Sequence, residues 1–260
     1  MLRLWNIIFL MLFLGACTLQ SPPPKTKTAP DNNAGADRTD VLIYSGEGSW
    51  GDEVDSLAEI LYEHNVTYVE WDEDDLNDAS EKSFRQFSLI LFPGGDSDLV
   101  TKYLKPQTRD RIRKAVREEG INYLGFCAGA WAVVSPEKDN YGFRLVEGPY
   151  LQRTPYYKKG LEFSIANAEF PDGTHRDLLW FGGPVTPDIP GGVIAKYPDG
   201  TPAISEMYAG KGFVIISGLH PAVNKLILNK IELYNKQAID PKYAWKLLNS
   251  ALHSQPLPAF

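Results

Sequence analysis

One cysteine in the middle of the chain stands where a nucleophile could be placed. The stretch Asn122–Trp131 predicts a buried strand, a sharp turn and a helix, and its Gly-x-Cys-x-Gly core has the form of a nucleophile elbow around Cys127. Gly125 and Gly129 would permit the tight backbone and the close strand–helix approach that such a turn needs. A helix N-terminus favours an anion and therefore a thiolate. A buried structural cysteine in a glycine-rich turn is the alternative, and these residues alone leave both interpretations open.

A thiol becomes a good nucleophile beside a base, usually a histidine. Of the four histidines, His220 follows an apolar run, Gly212–Ile216, and lies in the segment Ser217-Gly218-Leu219-His220-Pro221. The other three are His64, His175 and His253, which we place at a helix end, after a polar turn and in the C-terminal tail. The pattern is equally compatible with a Cys127–His220 pair and with a histidine that merely packs at a strand end.

Two glycine-rich segments follow other predicted strands. Gly94 and Gly95 come after the strand Leu89–Phe92, where their backbone N–H groups could form an oxyanion hole or simply a strand-to-helix turn. The loop Ser45–Gly51 contains Glu47 but lacks the Lys-Ser/Thr ending of a phosphate-binding loop, which argues against a nucleotide there.

Composition excludes several classes of function. The net charge of −7 and the absence of a dense Lys/Arg run argue against nucleic acid as a partner. The chain has two cysteines, Cys17 and Cys127, so no disulfide framework is expected if Cys17 is lipidated. The run Asp72–Asp75 indicates a solvated loop and helix start more than a metal site. We expect neither a metal nor a cofactor.

The N-terminus has the features of a targeting segment. Arg3 precedes the apolar stretch Leu4–Leu14, which is too short for a confident membrane span. Leu14-Gly15-Ala16-Cys17 resembles a bacterial lipobox, and a plain signal peptide is the alternative. We therefore predict a signal peptide over 1–16, a lipidated Cys17 that binds the membrane, and a disordered tether over 17–39, which has almost no large apolar residue.

Strands and helices alternate over 40–260, which predicts an α/β domain with a mainly parallel sheet covered on both faces. An Asp199-Gly200 hairpin signal separates two of the later strands, and a tyrosine-rich segment around Tyr141–Tyr157 favours packing over the lining of a pocket. Ligands bind at the C-terminal strand ends of such sheets. Cys127, the glycine pair, Glu47 and His220 all follow predicted strands, and this shared edge predicts the site.

Three motifs resemble those of class I glutamine amidotransferase-like domains, most closely the biotin–protein ligase N-terminal-like domain. They occur in the family's order over about residues 40–235 and are Phe92-Pro93-Gly94-Gly95, Gly125–Ala130 and Ser217–Pro221. The resemblance implies a flavodoxin-like three-layer sandwich. It also implies Cys127 as nucleophile, His220 as base, and an oxyanion hole from the backbone of Gly95 and Ala128.

The sequence departs from that family after His220. Family members usually continue His-Pro-Glu, with the glutamate orienting the histidine, whereas this chain has Ala222. We hypothesise that Glu47 reaches the cysteine instead, as a glutamate does in related proteins. The resulting expectation is a lipid-anchored hydrolase of an unidentified small-molecule or envelope amide, facing the periplasm or exterior, in the outer membrane if the source has one. A non-catalytic binding module and a thiol sensor are the alternatives.

Overall fold

The computed structural model describes residues 26–27, 39–136, 141–154, 163–223 and 240–260. Several predicted features lie outside the described residues: the signal peptide, Cys17, Tyr156, Tyr157 and a helix over 226–233. Within the predicted tether, Thr26–Lys27 forms a short strand, β1, antiparallel to residues 68–69. The edge of the sheet offers unpaired backbone groups, which is the physical reason that this part of the tether takes up strand pairing.

Up to residue 131 strands and helices alternate as the sequence predicts, whereas the described elements over 134–217 are all strands. After β1, the strands are β2 (Val41–Tyr44), β3 (Tyr68–Trp71), β4 (Leu89–Phe92), β5 (Asn122–Phe126), β6 (Val134–Ser135), β7 (Val146–Glu147), β8 (Gln152–Arg153), β9 (Ser164–Glu169), β10 (His175–Trp180), β11 (Pro184–Val185), β12 (Val193–Lys196), β13 (Pro202–Ala209) and β14 (Gly212–Ser217). The helices are α1 (Gly51–Glu63), α2 (Glu73–Asp78), a 3-10 turn (Glu81–Gln86), α3 (Ser97–Tyr103), α4 (Pro106–Arg117), α5 (Ala128–Trp131) and α6 (Pro241–His253).

One large sheet organises these elements. Among the described residues its strand order is β1-β3-β2-β4-β5-β14-β13-β12-β9-β10. The block β3-β2-β4-β5-β14 is parallel, whereas the strands from β14 to β10 pair antiparallel. The predicted α/β class with a parallel central sheet is confirmed at this level. The antiparallel extension arises because β12, β13 and β14 are joined by tight turns, the first at the predicted Asp199-Gly200 signal.

The apolar strands bury both faces of the sheet. Side chains alternate along a strand, so Val41 and Ile43 join one core, which α1 and α6 cover. Leu42 and Tyr44 join a second core on the opposite face, with Ile112 and Val116 of α4. Coverage of both faces leaves the ends of the strands as the accessible edge. None of the helices in the described ranges has the length and apolar character needed to cross a membrane.

Candidate active site

Cys127 occupies a strained turn between β5 and α5. Its backbone has φ 42° and ψ −95°, which a non-glycine residue rarely adopts. Its N–H donates a hydrogen bond of 2.7 Å to the carbonyl of Ser217 at the end of β14, which fixes the turn to the neighbouring strand. A side chain at Gly129 would approach the Phe92 carbonyl to 2.6 Å, so only glycine permits this packing. The predicted elbow geometry is present.

The strain at Cys127 predicts an unusual order of stability. Glycine ordinarily destabilises a folded position relative to alanine by about 0.5–1 kcal/mol. At φ 42° the order reverses, because this backbone conformation is strained for alanine and unstrained for glycine. We expect the free energy of unfolding of Cys127→Gly to exceed that of Cys127→Ala by about 1–2 kcal/mol. Urea titration of the two variants measures this difference, and a less stable glycine variant would contradict a strained elbow.

His220 is held by a buried carboxylate that sequence reasoning missed. The His220 N–H donates to the carbonyl of Leu179 at 2.8 Å, and its ring Nδ1 lies 2.9 Å from Oε1 of Glu53. Both side chains are fully buried. The other carboxylate oxygen of Glu53, Oε2, accepts the Gly94 N–H at 2.6 Å. Glu53 therefore fixes the orientation of the imidazole and ties it to the glycine segment after β4.

The charge state of His220 follows from these neighbours. Burial by itself lowers the pKa of the imidazole, but the Glu53 carboxylate and the Cys127 side chain outweigh burial. Together they raise the pKa of His220 from 6.5 to about 10. The site therefore favours an imidazolium, the partner that a thiolate requires.

This raised pKa predicts a pH-dependent stability. A group whose folded pKa lies above its unfolded value stabilises the fold fully below the unfolded value, here 6.5, and loses that contribution as the pH rises towards about 10. We expect the difference in unfolding free energy between the natural chain and His220→Asn to fall steadily across that interval. Urea unfolding of both chains at several pH values tests this, and a difference that stays constant with pH contradicts the assignment.

The resting contacts of the pair are not those of a formed ion pair. The Cys127 thiol donates to the Phe181 carbonyl at 3.1 Å. The Nε2 atom of His220 is buried and has no hydrogen-bond partner among the described residues. The rings of Trp50 and Phe181 pack against the imidazole, with centroids 5.4 and 6.4 Å away. Rotation of the thiol from the carbonyl towards Nε2 would complete the pair.

The structure removes one of the three predicted oxyanion donors, Gly94. The Gly94 N–H already donates to Glu53, so it cannot stabilise a developing oxyanion. The N–H groups of Gly95 and Ala128 have no acceptor among the described contacts and remain candidates. Gly95 has φ +139° and pairs with Ser49, which sets its conformation.

Glu47 makes no described contact with Cys127 or His220. It is exposed, its N–H donates to Oε2 of Glu73 at 2.9 Å, and its carbonyl accepts the Tyr44 hydroxyl at 2.8 Å. Among the described contacts, none joins its carboxylate to Cys127 or His220.

The sequence did contain a signal for Glu53. This residue falls four residues before Leu57, on the buried face of α1.

The remaining predicted features fall outside the pair. His64, His175 and His253 are exposed. Asp72 caps α2 by accepting the N–H groups of Asp74 and Asp75, which agrees with a solvated helix start. No group of three or more metal-ligating side chains is found in the part of the chain that the structure describes.

A cavity of about 810 Å³ opens beside Cys127. Four of its eleven lining residues are aromatic and three are charged. In the described residues they are Gly95, Asp96, Ser97, Asp98, Cys127, Trp131, Tyr141, Tyr150, Arg153, Phe181 and Gly182. Tyr141 and Tyr150 therefore line a pocket, where the sequence favoured simple packing. Between them, Phe143 and Leu145 enter the second core, so the segment contributes to both the core and the cavity.

Comparison with known families agrees with the motifs. Residues 39–142 match the family "Biotin-protein ligase, N terminal". The match supports a biotin–protein ligase N-terminal-like domain over that part of the chain, which includes Glu53, the glycine pair and Cys127. His220 lies beyond the matched residues. No curated protein matches the chain.

Solved structures that resemble this chain do so at low sequence identity. Cytoplasmic Protein STM1381 from Salmonella typhimurium LT2 is 12% identical, with a TM-score of 0.51, over 84% of this chain and 100% of that one. Cytoplasmic Protein STM3548 from Salmonella typhimurium is 13% identical, with a TM-score of 0.49, over 81% and 98%. A β-galactosidase from Bacillus circulans sp. alkalophilus is 14% identical, with a TM-score of 0.44, over 78% of this chain, which spans only 32% of the enzyme.

Proposed function

We propose that the protein is a cysteine-dependent amide hydrolase that uses Cys127, His220 and Glu53 as a catalytic triad. The observation that carries the proposal is the buried 2.9 Å contact between His220 Nδ1 and Glu53 Oε1. It supplies from α1 the orienting carboxylate that Ala222 cannot provide. A buried carboxylate that fixes the histidine is a recurrent part of nucleophilic sites on unrelated folds.

The chemistry proceeds in two steps. His220 already carries a proton as an imidazolium, so the Cys127 thiol loses its proton to water. The thiolate attacks the amide carbonyl carbon while Gly95 and Ala128 donate to the oxyanion. The C–N bond breaks, and the amine leaves with the proton from His220. Water then attacks the thioester, returning a proton through His220, so that the products are a carboxylic acid, an amine and the free thiol.

We further propose the setting of this reaction. The cores on both faces of the sheet support a flavodoxin-like three-layer arrangement of the class I glutamine amidotransferase-like type. The Leu14-Gly15-Ala16-Cys17 segment supports a lipid anchor on Cys17 and a place in the cell envelope, facing the periplasm or exterior. The domain would then act on an envelope amide or a small molecule without a bound cofactor.

A second candidate is a binding module that keeps the fold without turnover. It is favoured by the resting contact in which the Cys127 thiol bonds to the Phe181 carbonyl while His220 Nε2 has no hydrogen-bond partner among the described residues. A ligand held in the cavity by such a module would leave Cys127 unmodified. The two candidates therefore differ in whether an acyl group is transferred to sulfur.

An activated acyl donor separates these candidates. The chain carrying Cys17→Ser, whose remaining cysteine is Cys127, would be incubated with p-nitrophenyl acetate and examined by intact mass and peptide mapping. We expect an acetyl group on Cys127 that is released again by water, with both steps slowed at least tenfold in His220→Ala. Acetylation that is equally fast in His220→Ala, or no acetyl group on Cys127, would support the binding module.

A further inference from the structure

Four consecutive backbone carbonyls beside Cys127 each accept a hydrogen bond from a side chain. They belong to residues 181–184, which we call the carbonyl loop and which lead from the end of β10 into β11. The Phe181 carbonyl accepts the Cys127 thiol at 3.1 Å. The next three carbonyls accept donors at 3.1, 3.0 and 2.8 Å, which come in that order from Trp131, Trp180 and Tyr197. The directions of these carbonyls are therefore fixed by side chains from several parts of the fold.

The carbonyl loop also packs against the segment that carries His220. A Cβ on Gly183 would overlap the carbonyl of Gly218, so only glycine permits this backbone contact. Just before the loop, the carbonyl of Leu179 accepts the His220 N–H at 2.8 Å. The loop is thus held between the histidine on one side and the cysteine on the other, and the Phe181 carbonyl has a defined position next to both.

The resting contacts leave the histidine without the partner that the reaction needs. The thiol donates to the Phe181 carbonyl, while Nε2 of His220 has no hydrogen-bond partner among the described residues. His220 is fully buried, and a buried polar atom without a partner is unfavourable. A ligand group that takes over the Phe181 carbonyl would release the thiol and let it turn towards this atom.

The nitrogen of a bound amide is well placed to take over this carbonyl. Cys127 and Phe181 both line the cavity, so a ligand reaches the sulfur and the carbonyl from the same side. The attacked carbon approaches the sulfur to about 3–3.5 Å, and the amide nitrogen is bonded to that carbon. Because the Phe181 oxygen lies 3.1 Å from the sulfur, this nitrogen comes within hydrogen-bond reach of it. A thiol is a weak donor, so an amide N–H replaces it readily.

Building on the proposed function, we infer that the Phe181 carbonyl selects substrates whose amide nitrogen carries hydrogen. The substrate N–H replaces the thiol at this carbonyl. The released thiol turns to the His220 imidazolium and gives its proton to water, and the thiolate attacks the bound amide. Primary and secondary amides are then the substrates. Tertiary amides and esters of ordinary alcohols are poor substrates because they have no N–H with which to release the thiol.

Two isomeric alkylating reagents test this inference without requiring turnover. 2-Iodo-N-ethylacetamide has one N–H, and 2-iodo-N,N-dimethylacetamide has the same atoms but no N–H. Their rates with Cys127 are measured in the Cys17→Ser chain, and each is divided by the rate of the same reagent with glutathione, which removes intrinsic differences in reactivity. We expect the corrected rate to be about tenfold higher for the reagent that carries the N–H.

Trp131→Phe tests whether the position of the carbonyl loop sets this preference. Phenylalanine keeps an aromatic ring but removes the N–H that holds the Gly182 carbonyl, next to that of Phe181. We expect the corrected preference to fall to about twofold or less, because the loop carbonyls can then turn. The matched control is Trp245→Phe, whose ring stacks on His64 away from the cavity lining, and it should keep the full preference.

The S–H stretching band reports the displacement of the thiol directly. In the Cys17→Ser chain this band comes from Cys127 alone. N-ethylacetamide should weaken the band as the released thiol becomes a thiolate. Its isomer N,N-dimethylacetamide should leave the band unchanged, because it offers the Phe181 carbonyl no donor.

The outcomes separate this inference from the proposed function. If p-nitrophenyl acetate acetylates Cys127 with the help of His220 but the isomeric reagents react at equal corrected rates, the hydrolase stands and the inference falls. An S–H band that responds equally to both amides, or a full preference in Trp131→Phe, would also overturn it. A preference for the N–H reagent without acetyl transfer would remove the hydrolase and support the Phe181 carbonyl as the amide-recognising group of a binding module.

Discussion

Glu53→Gln is expected to lower the turnover of an amide or ester substrate by about 10³–10⁴, with little change in the fold. Glutamine keeps the size of the side chain and can still accept the Gly94 N–H, but it removes the negative charge beside His220. The neutral amide no longer stabilises the imidazolium that pairs with the Cys127 thiolate. Steady-state release of p-nitrophenol, with circular dichroism to check folding, measures the effect.

The matched control for this prediction is Glu47→Gln. Glu47 lies in the glycine-rich loop just before α1. It is exposed, and its backbone, not its carboxylate, makes the described hydrogen bonds. Its variant should keep turnover within about twofold of the natural chain, because a surface charge at this place is screened by water. A large loss in Glu47→Gln with little loss in Glu53→Gln would reverse the assignment and restore the expectation from the sequence.

Gly95→Ala is expected to destabilise the fold by about 3 kcal/mol or more. Gly95 has φ +139°, which only glycine adopts without strain, and an added Cβ would overlap the carbonyl oxygen of Gly48. That oxygen accepts the Asp96 N–H at 2.7 Å, so the overlap would separate the loop that precedes α1 from the glycine pair. Denaturant unfolding measures the loss.

Gly51→Ala provides the comparison for this change. Gly51 begins α1 in the same region, and an added Cβ there meets nothing within 4 Å. Alanine should therefore leave the unfolding free energy unchanged or raise it by up to about 1 kcal/mol. Equal stability of the Gly51→Ala and Gly95→Ala variants would show that the two loops are not held together by the Gly48 contact.

The sequence predicted the parallel block of the sheet because its strands are continuous apolar runs followed by glycine-rich turns. Cys127, Gly95, Ala128 and His220 could be brought to one edge by that rule alone, since the carboxyl ends of parallel strands meet there. The cavity walls were not predictable in the same way. Tyr150 and Arg153 lie in a segment that contains only two-residue strands, and no local periodicity specifies its path over the edge.

Glu53 shows where sequence reasoning stopped. A glutamate in the first turn of a helix is usually explained by the helix dipole, and its pairing with His220 joins residues 167 positions apart. Glu47 was the more visible candidate because it directly follows a strand. The burial of Glu53 could have been inferred from its place on the apolar face of α1, but its partner is set by the tertiary fold alone.

The most direct test of the triad is the alkylation rate of Cys127 at neutral pH. The rate with iodoacetamide would be measured in the Cys17→Ser chain and in its Glu53→Gln, His220→Ala and Glu47→Gln variants. We predict fast alkylation in the parent chain and in Glu47→Gln, and rates at least tenfold lower in Glu53→Gln and His220→Ala. The same rate in all four chains would contradict an activated nucleophile held by His220 and Glu53.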